Sequence, residues 1–378
     1  MKKKYPLIIG IALGLAACVG VAIAAGGTSS DPLISLNYIR GTYLPDLLSK
    51  AQDRIETDTS PVYQTALGRL NQVVGQAKSG QTNGSYMLAN QFVPVRLKKG
   101  DAVTGITGTS VVLLAGEGKL AFSSGAVVNV TDGATVKSGG FLSSGKRYLT
   151  AENTKACYTV ASDTAVISIQ GYYSMAYSTE TDYNMLAGAL NTMGLLKGKD
   201  LGYGSGYALE DKATRIEGLL MFLRLLGQEN AAEAYKGSQP FTDVPDWAAS
   251  YVAYAYSKGY TKGISGKLFG STNLIGTSEY TTFLLRALGY SDAANGDFTW
   301  NDALEKAKHF GVLTSGETAF FQKSTFNRAQ MTYLSYYSLS ANMKSGGGTL
   351  LDGLVAAGAV DAAEAQSAMS KVSSSRIS

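Results

Sequence analysis

Three landmarks recur at fixed spacing in the second half of the chain and constrain its fold more than any other feature. Each set has an aromatic residue, an apolar residue six positions later, and Glu or Gln ten positions after the aromatic. A glycine that can end a helix precedes each set. The sets are Tyr207, Ala213, Glu217; Phe269, Ile275, Glu279; and Phe320, Phe326, Gln330, preceded by Gly194, Gly259 and Gly311. Fixed spacing is the signature of a repeat architecture, so we predict three helix-turn-helix units that pack against one another.

A capping signal starts the second helix of these units. The Thr214 hydroxyl can accept a hydrogen bond from the backbone of Glu217, whose side chain can reach back to the N–H of residue 214. Asn327 and Gln330 allow the same arrangement, and the middle unit keeps the acid at Glu279. Capping accounts for the small polar residue and the acid, each worth about 1 kcal/mol.

Capping does not account for the arginine that follows the cap in the first and third units. A cation in the first turn opposes the helix dipole by about 0.3 to 1 kcal/mol. Arg215 and Arg328 therefore indicate a second role, and an arginine beside free helix-start amides is a site for an anion. The middle unit has Thr277 at this position.

The middle unit also has a distinctive opening, Phe241-Thr242-Asp243-Val244 followed by Trp247-Ala248. This opening and the Thr-Arg-Ile-Glu motif together resemble the S-layer homology (SLH) domain, whose units open with F-x-D-V-x-x-W-A and carry T-R-A-E at the second helix. The resemblance covers residues 182–341, with units at 182–230, 241–290 and 298–341. It implies a pseudo-threefold helical bundle whose grooves bind secondary cell-wall polysaccharide, often pyruvylated, or a peptidoglycan-linked glycan.

The resemblance also supplies candidate binding residues, with the arginines meeting a ketal carboxylate. Thr277 departs from the motif, and neither the first nor the third unit has the full opening, so we expect at most two competent grooves, around Arg215 and Arg328. We expect the Trp247 ring to pack in the core and not to serve as a sugar platform. The candidate polysaccharide-binding residues are Arg215, Arg328, Thr214, Glu217, Asn327, Gln330, Trp247 and Asp243.

Charge argues against nucleic acid as a partner. The chain has 33 Lys and Arg against 29 Asp and Glu. Without Lys2, Lys3 and Lys4 the balance is 33 − 3 = 30 against 29, which is close to neutral. Binding to phosphate backbones requires a dense basic face.

Residues 1–25 have the pattern of a signal peptide: three lysines, an apolar run and Ala22-Ile23-Ala24 as a cleavage site. This predicts a secreted protein of the bacterial cell surface or wall. Two alternatives stay open. Leu15-Ala16-Ala17-Cys18 has the form of a lipoprotein box, which would place a lipid on Cys18, and an uncut run of about 20 apolar residues is long enough for a membrane anchor.

Helical spacing of apolar residues predicts a helical hairpin or short coiled-coil arm at residues 31–79. Ser60 and Pro61 mark the start of its second helix. Such an arm packs on its neighbour as a spacer or provides self-association between copies.

Short β-branched and aromatic runs separated by turn signals predict an all-β module at 85–175, with a sandwich, a barrel or a roll all compatible. Its acids fall in or beside turns, where local hydrogen bonding explains them. Spacing cannot pair two of them for glycosidase chemistry. Cys157 is predicted to be a small apolar residue on a strand. The acids are Asp101, Glu117, Asp132, Glu152 and Asp163.

Residues 345–378 are predicted to form a flexible joint and an Ala-rich helical tail. The sequence thus predicts an α+β multidomain chain with an N-terminal helical hairpin, a small all-β module and a C-terminal all-α bundle of three SLH repeats. We predict no catalytic residue, metal site or cofactor, and a non-catalytic surface protein anchored by its repeats. The alternatives are an SLH-anchored cell-wall hydrolase and a structural subunit of an S-layer or envelope.

Overall fold

The computed structural model describes residues 39–51, 86–200 and 205–377, and the chain divides into two compact units, Met1–Thr82 and Asn83–Ser378. In the first unit a π-helical turn, Ile39–Tyr43, leads into helix at 44–51. The predicted signal peptide with Cys18 and most of the predicted arm at 31–79 lie outside the described residues. Within the described ranges, no helix has the length and apolar character needed to cross a membrane.

The second unit has the mixed α and β composition that the sequence predicts, with strands first and helices after them. All nine strands of its main sheet pair antiparallel, in the order β4-β8-β2-β9-β3-β7-β5-β6, with β1 also paired to β9. The strands are β1 (Met87–Lys98), β2 (Ala102–Ile106), β3 (Ser110–Ala115), β4 (Gly118–Ala121), β5 (Val127–Asn129), β6 (Ala134–Val136), β7 (Arg147–Thr150), β8 (Lys155–Val160) and β9 (Thr164–Ala176).

The long strand β9 organises this sheet because it pairs with three others. Ile169 lies opposite residues of both β1 and β3, whereas Ser174 lies opposite Thr104 of β2. Between them Gly171 takes a φ of 105°, and a Cβ there would lie 2.9 Å from the Thr109 Cα. Glycine is therefore required where the strand passes from one neighbour to the next. The sheet curls around a core that includes Leu97, Val111, Tyr158 and Ile167.

Two strands, β2 and β6, lie outside the β-branched and aromatic runs that predict the β-module. Gly105 interrupts the apolar alternation of β2, and β6 has only three residues, which are mostly exposed. Both weaken the alternating signal on which strand prediction depends.

The helices follow in an order set by the repeated landmarks. Helices α2, α5 and α8 have 11 residues each and begin at the predicted capping positions. Helices α1, α4 and α6 lead into Gly194, Gly259 and Gly311, which have φ values of 72° to 73°. The helices are α1 (Tyr183–Thr192), α2 (Arg215–Leu225), α3 (Glu229–Glu233), α4 (Ala249–Ser257), α5 (Thr277–Ala287), α6 (Ala303–His309), α7 (Ser315–Lys323), α8 (Arg328–Ser338), α9 (Leu350–Ala356) and α10 (Ala362–Ser370).

We call residues 182–230, 241–290 and 298–341 the first, second and third segments. The start of α2 pairs with the loop of the second segment, since the Arg215 N–H donates to the Asn273 carbonyl at 2.7 Å. The start of α8 pairs in the same way with the first segment, since the Arg328 N–H donates to the Asp211 carbonyl at 2.8 Å. One apolar core, including Phe222, runs through all three segments. These contacts bring the starts of α2 and α8 against the loops of neighbouring segments.

The β-module packs against the helices. The Asn184 side chain of α1 donates to the Leu97 carbonyl of β1 at 3.4 Å. The Gln330 amide of α8 donates to the Asp163 carboxylate at 3.3 Å, in the turn between β8 and β9. Burial raises the pKa of Asp163, and the hydrogen bond from Gln330 offsets only part of this rise.

Candidate binding grooves

The predicted capping box at the start of α2 is confirmed. The Glu217 N–H donates to the Thr214 hydroxyl at 3.4 Å, and the Thr214 N–H donates to the Glu217 carboxylate at 2.8 Å. At α8 only half of the box forms, with the Gln330 N–H donating to Asn327 at 2.9 Å. The Gln330 side chain is directed to Asp163 instead.

Arg215 reaches from the first segment into the second. Its Nε donates to the Phe269 carbonyl at 3.0 Å and its terminal nitrogen forms an ion pair with Glu279 at 3.1 Å. The guanidinium also lies 5.4 Å from the centre of the Phe269 ring, which is within range of a cation–π interaction. The arginine that the capping argument left unexplained thus joins two segments.

Arg328 makes the equivalent contacts from the third segment into the first. Its Nε donates to the Tyr207 carbonyl at 2.9 Å, and its terminal nitrogen pairs with Glu217 at 3.0 Å. The Arg328 side chain is only 6% exposed. Burial lowers the pKa of Arg328, and the nearby Glu217 carboxylate offsets only part of this effect.

At the junction of the second and third segments, both partners of this ion pair are replaced. Thr277 stands where Arg215 and Arg328 stand, and Gln330 stands where Glu217 and Glu279 stand. An unpaired carboxylate at a buried position would be costly. The neutral Gln330 avoids this cost and is free to bind Asp163 of the β-module.

A cavity of about 370 Å³, which we call groove A, lies beside the Arg328–Glu217 pair. Its walls come from all three segments, with Trp247 contributed by the second. The lining residues are Leu196, Lys197, Gly198, Thr214, Ile216, Glu217, Leu220, Met221, Arg224, Trp247, Arg328 and Met331.

A second cavity of about 350 Å³, groove B, lies beside the Arg215–Glu279 pair. Its walls also come from all three segments, with Trp300 contributed by the third. The lining residues are Arg215, Gly259, Tyr260, Thr261, Lys262, Gly263, Glu279, Thr282, Phe283, Arg286, Asp292 and Trp300.

The two grooves share one arrangement of charge. In groove A, Arg224 and Lys197 both donate to one Glu229 oxygen, at 2.8 and 2.9 Å. Burial would raise the pKa of Glu229, but these two cations hold it below its ordinary value. In groove B, Arg286 forms a two-pronged pair with Asp292 at 2.8 and 2.6 Å and lowers the pKa of Asp292.

Among the described residues, each groove therefore combines three cations with two carboxylates. The lining of groove A includes Lys197, Arg224, Arg328 and Glu217, and Glu229, outside the lining, pairs with Arg224 and Lys197. Groove B has the counterparts Arg215, Lys262, Arg286, Glu279 and Asp292. One positive charge is in excess in each, and the exposed lysines are the cations most accessible to a ligand.

The expectation that Trp247 packs in the core is wrong. Its ring is 60% exposed and lines groove A, and the Trp300 ring is 53% exposed and lines groove B. Both tryptophans lie in short 3₁₀ turns ahead of α4 and α6, where the ring projects from the bundle. An exposed aromatic ring beside a cation is a surface suited to a sugar ring.

Asp243 does not line either groove. Its carboxylate accepts hydrogen bonds from the backbone N–H groups of Phe269, Gly270 and Ser271, at 2.7, 2.7 and 3.2 Å. Phe269 in turn presents its carbonyl to Arg215. Asp243 thus positions the loop whose Phe269 carbonyl holds Arg215, a lining residue of groove B. Asn327 and Gln330 are likewise outside the lining of both grooves.

Several groove residues are not among the candidates that the sequence supplies, including four cations and Trp300, although the sequence carries a signal for the cations. Lys197 and Lys262 each follow the helix-ending glycine by the same spacing, in Leu-Lys-Gly and Thr-Lys-Gly. Arg224 and Arg286 occupy the same place in the recurring helix ends Leu-Arg-Leu-Leu-Gly and Leu-Arg-Ala-Leu-Gly. Trp247 lies six residues after Phe241, whereas Trp300 lies only two residues after Phe298. The motif spacing therefore does not relate the two tryptophans, and only the structure places Trp300 in a groove.

Three acids of the β-module, Asp101, Asp132 and Asp163, have structural partners. Asp101 accepts hydrogen bonds from Lys98 and from the Ser178 N–H, and Asp132 binds Asn129 and Lys146. Cys157 lies on β8, as predicted, with its sulfur 3.6 Å from the Thr159 hydroxyl. In the part of the chain that the structure describes, no cluster of three or more His, Cys, Asp or Glu side chains is arranged to hold a metal ion.

Sequence comparison identifies relatives among bacterial surface proteins. The chain is 31% identical over 140 residues to a middle cell wall protein of Brevibacillus brevis, a match that covers 36% of this chain and 13% of the relative. It is 29% identical over 164 residues to a surface layer protein of Brevibacillus choshinensis, covering 42% and 14%. A cell surface protein of Thermoanaerobacter kivui is 29% identical over 110 residues, covering 28% and 14%.

The chain is similar to bacterial cell-surface proteins. All three names refer to the cell wall or the cell surface. They confirm the resemblance to surface proteins and the predicted surface location. The matches span only 13% to 14% of the relatives' lengths. No protein-family model matches the chain. A solved structure, that of the coconut allergen cocosin, covers 25% of this chain at 17% identity with a TM-score of 0.16, too low to indicate a shared fold.

Proposed function

We propose that the three segments form an SLH-type bundle that anchors the protein non-covalently to a secondary cell-wall polysaccharide or another glycan linked to peptidoglycan. The observation that carries this proposal is the matched composition of grooves A and B. Each has an exposed lysine, two arginines held by carboxylates and a half-exposed tryptophan.

The chemistry of each groove fits a sugar that bears one carboxylate, such as a pyruvyl ketal. The single excess positive charge matches one anion, and charge-assisted hydrogen bonds to carboxylates are the strong ones. The tryptophan offers an apolar face for the ring of the same sugar. Because the side chains of Arg215 and Arg328 are only 15% and 6% exposed, we assign these arginines chiefly to shaping the grooves. We assign the exposed Lys197 and Lys262 to first contact with the anion.

The relatives support this proposal, since they are named as cell wall and surface layer proteins. Their names describe structural proteins and not enzymes, in agreement with a non-catalytic role. The name of the Brevibacillus choshinensis relative favours a second candidate, a structural subunit of a surface layer. That role requires assembly into sheets, which electron microscopy of the purified chain detects.

Co-sedimentation with isolated cell-wall sacculi tests the proposal. The chain lacking residues 1–25 should pellet with intact sacculi and remain in the supernatant after the wall polysaccharide has been removed chemically. Equal binding to intact and stripped sacculi would show that the polysaccharide is not the partner.

A further inference from the structure

The third segment has a groove position equivalent to A and B, but its cations are missing. The position of Lys197 and Lys262 is taken by Thr314, and the position of Arg224 and Arg286 by Tyr337. Thr277 replaces the arginine at the helix start. We call this place groove C.

The C-terminal end of the chain lies across groove C. The Tyr337 hydroxyl donates to the Ser374 carbonyl at 3.0 Å, and the Ile377 N–H donates to the Tyr333 hydroxyl at 2.8 Å. Arg376 lies 5.0 Å from the centre of the Tyr337 ring. Tyr333 and Tyr337 correspond to Leu220 and Arg224 in groove A, so residues 374–377 cover the walls that a ligand would contact in the other grooves.

Arg376 reproduces the bonds of the helix-end arginine of groove B. There Arg286 donates to the Tyr260 carbonyl at 2.9 Å and forms a two-pronged ion pair with Asp292. In groove C, Arg376 donates to the carbonyl of Val312, which follows Gly311 as Tyr260 follows Gly259, at 2.9 Å. It also forms a two-pronged pair with Glu317, with both N–O distances 2.7 Å.

The acid that receives Arg376 is fully buried. Glu317 is 0% exposed, and it also accepts hydrogen bonds from the Tyr333 hydroxyl at 2.5 Å and the Thr314 N–H at 2.7 Å. A buried carboxylate without a cation is strongly unfavourable. Arg376 is the cation that pairs with it in this structure, so the tail supplies a charge that the third segment requires.

We propose that groove C is an internal binding site for the C-terminal segment, in which residues 374–377 take the place of a ligand and Arg376 replaces the missing helix-end arginine. Groove C is closed and its acid neutralised, which leaves grooves A and B as the open pair. The proposal that the tail occupies groove C does not depend on the proposed function. The inference that grooves A and B alone stay open to the wall polymer does rest on that function.

Hydrogen–deuterium exchange of the chain lacking residues 1–25 tests the tail assignment without any glycan. In Arg376→Ala the Ile377 amide, whose N–H donates to the Tyr333 hydroxyl, should exchange at least about tenfold faster than in the unchanged chain, because the charge-assisted hydrogen bonds that hold the tail against this hydroxyl are lost. Lys371→Ala, which removes an exposed cation just before this segment, serves as the matched control and should leave exchange unchanged. Exchange rates in Arg376→Ala within twofold of the unchanged chain would overturn the proposal.

A second variant separates release of the tail from unfolding of the bundle. Tyr337→Phe removes only the hydroxyl that donates to Ser374. It should accelerate exchange at the tail while amides of α2 and α5 keep their protection. Acceleration spread equally over all helices would show general destabilisation and would also overturn the proposal. Failure of the chain to bind sacculi would contradict the proposed function and leave the exchange result unaffected.

Discussion

Arg328 and Glu217 join the third segment to the first through a 3.0 Å ion pair in which the arginine side chain is 6% exposed. The same pair recurs between Arg215 and Glu279, where both side chains are more exposed. The motif arginine therefore has a structural function at both of these junctions, in addition to any contact with a ligand. This difference in burial predicts a difference in stability.

Arg328→Ala should destabilise the fold by about 3 to 5 kcal/mol, because it removes the buried cation that pairs with Glu217 at this junction. Arg215→Ala should cost only about 1 to 2 kcal/mol, since water reaches that pair. Chemical unfolding followed by circular dichroism measures both. Glu217→Gln added to Arg328→Ala should recover part of the loss, because Gln still caps α2 and carries no charge. Equal destabilisation by the two single arginine variants would contradict the assignment.

The chain has two tryptophans, and each lines a different groove. Intrinsic fluorescence should therefore change when wall polysaccharide is added. Trp300→Phe should leave a signal from groove A alone, and Trp247→Phe a signal from groove B alone. Because both rings are more than half exposed, neither change should alter stability by more than about 1 kcal/mol. A titration with no spectral change in either single-tryptophan variant would show that the ligand does not enter the grooves.

Acid should release the C-terminal segment from groove C. Burial would raise the pKa of Glu317, but hydrogen bonds from Arg376, the Thr314 N–H and the Tyr333 hydroxyl hold it below the ordinary value of 4.5. Because the pKa is lower in the folded state, the stabilisation is fully present above 4.5 and is lost as the pH falls through the folded pKa. Tyr333 and Tyr337, the other titratable groups beside the acid, have raised pKa values and stay neutral in this range.

Exchange of the tail amides as a function of pH, corrected for the intrinsic acid dependence of exchange, measures this release. Arg376→Ala provides the control, because it should abolish the additional acid dependence. A tail that keeps the same protection well below pH 4.5 would contradict the assignment of Glu317 as its anchor.

Local features of the bundle could be predicted from the sequence because they depend on neighbouring residues. The capping box at Thr214 and the helix ends at Gly194, Gly259 and Gly311 depend on contacts within a turn. The partners of the arginines could not be predicted in this way. Glu279 and Glu217 meet Arg215 and Arg328 only after the segments have packed, and no spacing within one segment indicates this.

The sequence predicts only part of the candidate site, because each groove is built from residues of different segments. Thr214, Glu217, Arg328 and Trp247 lie together in groove A, whereas Arg215 lies in groove B. Trp247 was wrongly expected in the core because an aromatic residue beside apolar ones is usually buried. The role of the tail was not predictable, since the need for a cation at Glu317 is visible only once Thr314, Tyr333 and Glu317 are seen together.

The central claim is that grooves A and B bind an anionic wall polymer through their exposed lysines. Lys197→Ala combined with Lys262→Ala tests it most directly, in a sacculus-binding assay with the chain lacking residues 1–25. The matched control is Lys236→Ala with Lys323→Ala, which removes two exposed lysines that line neither groove. With both variants folded as judged by circular dichroism, the groove variant should lose at least about tenfold in affinity, given the strength of hydrogen bonds to charged groups. The control should bind like the unchanged chain. Equal binding by the groove variant and its control would contradict the account.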